Sequence, residues 1–276
     1  MQIEHPIHTR TPLKDVGFTF LFWLIFIVVL FIGGVLIRAQ VGPEIQDLVY
    51  GGIGMVASIL ATLIVLRIDR QSFASLGLQW QQGTIVRFIK GLLIGALLFG
   101  GIVFLLLLFT HLRIKPNSFS LQQFPWLLYL AIIPLALMEE VAFRGYPLIK
   151  LNRTCGIYCA QIIIALVFAL YHIVQGWDVT VAFLGPGIWA IIFGWAALYS
   201  KGIAMPTGIH VALNAGQNLV GMKGASAAAF WLIEQPVGAT ESSITRANTI
   251  GLLTQVLMLL IGIVLTVLFV NKIKKR

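Results

Sequence analysis

Two adjacent carboxylates stand at the end of an apolar run. Glu139 and Glu140 follow the uncharged stretch from Trp126 to Met138. A carboxylate deep in a membrane helix costs roughly 2.5–3.5 kcal/mol on insertion scales, so such a residue is kept for a partner or a task. Arg144 lies four positions after Glu140 and shares its helix face. Glu139 points about 100° away from that face. The spacing therefore predicts a structural ion pair between Glu140 and Arg144 and leaves Glu139 for chemistry. A carboxyl in a dry site beside a second one can accept and then return a proton near neutral pH. Taken alone, the run also fits a buried pair that only fixes helix packing.

The histidines weigh against that plainer role. His5, His8 and His111 fall in a tail or loop and read as solvated. His172 ends the run Leu166 to His172, and His210 sits within Pro206 to Asn214. A single intramembrane histidine is ordinarily a helix–helix hydrogen bond. Here two lie on different apolar segments, with a carboxylate pair on a third. Asn214 is one turn after His210 on the same face, and Phe168 is one turn before His172, placed to wall the site.

This set suits hydrolysis by an activated water. A glutamate and a histidine can polarise the water. A second histidine and an asparagine amide can donate to the developing oxyanion. Two histidines and a glutamate could instead hold zinc with one open position. No His-Glu-x-x-His run is present, so zinc ligands would have to come from separate helices. The sequence leaves both routes open. A serine or cysteine nucleophile has little support. There is no Gly-x-Ser-x-Gly, and Cys155 and Cys159, four apart, read as small apolar residues.

The elements that must position these residues are membrane helices. The chain is 59% hydrophobic and 11% charged, with a mean hydropathy of +0.94, which excludes a soluble enzyme and a disordered chain. Apolar runs fall near 16–37, 48–68, 88–109, 126–147, 158–175, 181–200, 203–221 and 249–271. The expectation is an all-α bundle of about eight spans, in one domain over 1–276, with an intramembrane polar cavity. The fifth and seventh runs are short and glycine-interrupted, and Gly185-Pro186-Gly187 should break or kink the sixth. The segment Asp69 to Leu78 reads as interfacial.

Charge placement sets orientation. With the N-terminus in the cytoplasm, 14 of the 19 Lys and Arg residues fall on inner segments and 5 on outer ones. That bias predicts both termini in the cytoplasm of a plasma-membrane protein. The net charge of +9 then reflects contact with the lipid bilayer rather than with nucleic acid.

At these residues the sequence resembles the CPBP family of CAAX proteases and bacteriocin-processing enzymes, also called Abi. Three motifs carry the resemblance: Glu139-Glu140-Val141-Ala142-Phe143-Arg144, Phe168-Ala169-Leu170-Tyr171-His172 and His210-Val211-Ala212-Leu213-Asn214. Ser75-Leu76-Gly77-Leu78 before a membrane helix is a further likeness, so the similar core covers roughly 70–221. The resemblance implies a helical bundle whose cavity opens toward the cytoplasm. It implies that Glu139 activates water, that His172 is its partner, and that His210 and Asn214 form the oxyanion site. Family members are described both as zinc metalloproteases and as glutamate-dependent peptidases. The implied substrate is a membrane-associated protein or peptide, prenylated or bacteriocin-like. A non-catalytic immunity or scaffold protein is the alternative. A transporter is disfavoured because no repeat relates two halves of the chain.

Overall fold

The computed structural model describes residues 12–118, 126–223 and 229–275. His5, His8, Arg10 and Arg276 lie outside them. The helices are α1 (Pro12–Leu36), α2 (Gln46–Asp69), α3 (Thr84–Phe109), α4 (Trp126–Arg144), α5 (Tyr146–Val174), the one-turn α6 (Val179–Ala182), α7 (Ile188–Ser200), α8 (Ala204–Leu219) and α9 (Glu241–Lys274). Six stretches are long and apolar enough to cross a membrane, and the one at Trp126–Val174 contains both α4 and α5. The remaining expected span, α8, is a helix of 16 residues and falls short of that length. Each of the eight apolar runs thus has its helix, but length and apolarity support six crossings as continuous stretches. Exposed apolar side chains such as Phe20, Leu24, Leu97 and Leu260 cover the outside, as lipid contact requires.

The all-α expectation holds, and three local features refine it. Arg113–Pro116 (β1) and Trp231–Glu234 (β2) pair antiparallel, so the described residues are not purely helical. Gly185-Pro186-Gly187 interrupts the α-helix, as expected, without ending the apolar stretch. The chain takes a π-helical turn over Phe183–Gly187 and continues into α7, an adjustment that accommodates the missing proline N–H. The fifth run begins earlier than expected, at Tyr146, and bends at Gly156, whose φ of 81° favours glycine.

Small residues set how closely the site-bearing helices approach. On α3, a Cβ at Gly91 would collide with the Met205 carbonyl of α8. On α8, a Cβ at Gly208 would collide with the Phe88 carbonyl of α3. In lipid no hydrophobic force drives helices together, so close backbone packing of this kind supplies the association. On α2, Gly51 and Gly54 likewise receive Pro134 and Met138 of α4. These two contacts fix α8 and α4, and with them His210 and the glutamates.

The bundle has two ends. At the proximal end lie the start of α1, the end of α2 and the start of α5. Lys150 reaches Asp15 at 3.0 Å and Asp69 at 2.7 Å, and Tyr146 donates to Asp69 at 3.1 Å. Gly77 and Gly202 also meet there. At the distal end Arg38 pairs with Asp47 at 3.4 Å, Arg246 donates to the Phe109 carbonyl at 2.8 Å, and β1–β2 closes over the end of α8.

Candidate active site

Helix α4 brings Glu139 and Glu140 to mid-depth. Trp23, near the middle of α1, donates its indole N–H to the Ala142 carbonyl at 3.2 Å. Glu139 is three residues from Ala142 toward the distal start of α4. Arg144 and Glu140 have fully buried side chains, with Nη1 3.4 Å from Oε1. The guanidinium lies between the rings of Phe168 at 4.4 Å and Phe193 at 5.1 Å. Its Nη2 approaches the Ala190 carbonyl at 3.5 Å. Phe168, expected to wall the site, packs edge-on against His172 with ring centroids 4.6 Å apart.

His210 stands between the carboxylates. Its Nδ1 is 2.9 Å from Glu140 Oε1 and its Nε2 is 3.7 Å from Glu139 Oε2. Phe193 stacks on the ring at 4.7 Å and holds it in that plane. Glu140 is therefore shared by Arg144 and His210. Glu139 Oε2 is buried and has no hydrogen-bond partner among the described residues. Glu140 Oε2 likewise has no hydrogen-bond partner among the described residues, but the Glu139 side chain retains 12% exposure where that of Glu140 has none, so Glu139 is the more accessible carboxylate. Such an atom calls for water or a ligand.

His172 has its Nδ1 2.8 Å from the Phe168 carbonyl. A carbonyl only accepts, so Nδ1 carries the proton and the neutral ring keeps its lone pair on Nε2. Trp177, just past α5, covers the ring edge-on at 5.1 Å. Glu139 is close enough to His172 to act on it electrostatically.

Asn214 is one turn distal to His210 on α8, and its recorded contact is not with the glutamates. Lys223, in the turn beyond α8, donates to Asn214 Oδ1 at 2.9 Å. An ammonium only donates, so this contact sets the amide orientation and leaves Nδ2 as the available donor. Lys223 is exposed as a residue, yet protein crowding round its ammonium pushes its pKa below the usual lysine value, with Glu139 and Asp47 pulling the other way. In the sequence Lys223 counts only among the outer loop charges and carries no role at the site. Its only signal there is its position nine residues after Asn214, just past the end of an apolar run.

Among the described residues, no three His, Cys, Asp or Glu side chains are grouped to hold a metal ion. Glu140 is committed to Arg144 and His210, and the imidazole Nδ1 of His172 to a carbonyl. The Nδ1 contact leaves His172 Nε2 free, but as arranged the described donors are not gathered into a zinc site.

Residues 120–216 match the Type II CAAX prenyl endopeptidase Rce1-like family. The matched stretch contains all three motifs and is consistent with the CPBP resemblance. No curated protein and no solved structure matches the chain. The family supports a CAAX-type endopeptidase held in the membrane in general terms.

Proposed function

We propose that this chain is an intramembrane endopeptidase that hydrolyses a peptide bond of a membrane-associated protein or peptide. The observation that carries the reading is the buried Glu139 carboxylate oxygen, without a hydrogen-bond partner among the described residues, beside His210 and within electrostatic reach of His172. A purely structural Glu–Arg pair has no need of it.

In this mechanism a water lies between Glu139 and Nε2 of His172. Glu139 takes its proton as the oxygen attacks the scissile carbonyl carbon. The oxyanion accepts hydrogen bonds from Asn214 Nδ2 and from Nε2–H of His210. Collapse breaks the C–N bond, and the proton held by Glu139 passes to the departing amine. Glu140 serves as the anchor that orients His210 and neutralises Arg144.

The test is a comparison of protein C-termini in membranes containing the wild type and membranes containing Glu139→Ala. New C-termini that appear only with the wild type support hydrolysis. Identical sets in both would end the reading.

A further inference from the structure

Charge placement on the folded chain decides from which side the site is reached. Among the described residues, the proximal end carries Lys14, Arg67, Arg70, Arg87, Lys90, Lys150, Arg153, Lys201, Lys272, Lys274 and Lys275, against only Asp15 and Asp69. The distal end carries Arg38, Arg113, Lys115, Lys223 and Arg246, balanced by Glu44, Asp47, Asp178, Glu234 and Glu241. One end is strongly basic and the other is close to neutral. Lys and Arg collect in cytoplasmic loops, so the proximal end is the cytoplasmic one.

The site faces the other way. The residues that border it from outside the bundle are distal: Trp177 beyond the end of α5 covers His172, and Lys223 beyond the end of α8 holds Asn214. Asp47, at the distal start of α2, lies near enough to act on Lys223. Toward the cytoplasm a cavity lies between α2, α4 and α8 beside Gly77 and Gly202, but none of the site residues lines it, and the side chains beneath the site along α4 and α5 are packed. Phe143, Arg144, Tyr146 and Leu148 are at most 1% exposed. Beneath them the buried Lys150–Asp69 pair ties α5 to α2. A cavity opening toward the cytoplasm, which the family resemblance implies, and a cytoplasmic N-terminus do not fit one molecule.

We infer that the site takes its substrate from the non-cytoplasmic side of the membrane. The substrate class is then an exported, membrane-held peptide, or the outer juxtamembrane segment of a membrane protein, and not the cytoplasmic C-terminus of a prenylated protein. The balanced charge of the distal end selects no strongly acidic or basic segment. The word substrate rests on the hydrolase reading above, whereas the sidedness does not.

Cysteine labelling in intact cells tests the sidedness without any need for activity. In a chain with Cys155 and Cys159 both changed to Ala, single substitutions Val237→Cys (distal) and Ser72→Cys (proximal) are exposed positions. A membrane-impermeant maleimide should label Val237→Cys in intact cells and Ser72→Cys only after permeabilisation. The reverse pattern, or equal labelling of both in intact cells, overturns the inference. In a second arm, a quenched lipid-anchored peptide is added outside sealed right-side-out vesicles. Cleavage that disappears in Glu139→Gln supports both readings. Glu139-dependent cleavage confined to inverted vesicles overturns the sidedness. Cleavage that persists in Glu139→Gln removes the hydrolase reading while the labelling result stands.

Discussion

Glu139 and Glu140 are neighbours in sequence, yet their environments predict opposite consequences for the same amide substitution. Glu140→Gln leaves the Arg144 guanidinium in a site with no exposure and without the carboxylate 3.4 Å away. Its other polar contact is a carbonyl at 3.5 Å, too long to compensate a full charge. Removing one partner of a buried ion pair costs about 3–5 kcal/mol, or roughly two to nearly four powers of ten in the folding equilibrium. Glu139→Gln removes no direct contact of hydrogen-bond length among the described residues. Its cost should stay under about 1 kcal/mol, while hydrolysis falls by about 10²–10⁴. Reversible unfolding in mixed micelles measures the first quantity, and turnover of a quenched peptide measures the second. A double variant, Glu140→Leu with Arg144→Met, should recover much of the stability lost in Glu140→Gln, because an apolar pair can replace a buried ion pair. An unstable Glu139→Gln beside a stable but inactive Glu140→Gln would refute the assignment of roles.

Lys223→Met should lower kcat about tenfold or more with little change in KM, because Asn214 loses the contact that orients its amide; the same change made in Asn214→Ala should then have no further effect. The wild type should lose activity as pH rises through the lowered Lys223 pKa, with Glu139 and Asp47 facing the ammonium, and Lys223→Arg should carry activity to higher pH. An unchanged alkaline limb in that variant would exclude Lys223 from the site. Lys150→Met should destabilise the fold by about 3 kcal/mol or more, since it strips the buried Asp69 of its cation, and leave the pH profile of the remaining folded enzyme as it was. Extended dialysis against a chelator should leave hydrolysis intact, and a loss restored specifically by zinc would show that the donors rearrange to bind it.

The sequence by itself determined the membrane class, the position of the helices and the residues worth suspecting. Each follows from properties that act locally along the chain. Apolar runs of sufficient length become helices wherever they lie, because lipid offers the backbone no other partner. A carboxylate or histidine inside such a run is conspicuous because its burial is costly. The four-residue spacing of Glu140 and Arg144 places both on one face whatever surrounds them, and the 3.4 Å contact needs no other helix. Contacts between distant segments were not legible in this way. That His210 stands between the two glutamates depends on how closely α8 and α4 approach, and small residues on α3, α8 and α2 govern that approach. The pairing of β1 with β2 joins segments more than a hundred residues apart. Lys223 looks like any loop lysine until the chain folds back and brings its ammonium to Asn214. The direction in which the site opens was beyond the sequence for the same reason. Charge along the chain predicts which helix ends face the cytoplasm, but the surroundings of Trp177 and Lys223, on which the inferred direction rests, depend on how α5 and α8 pack.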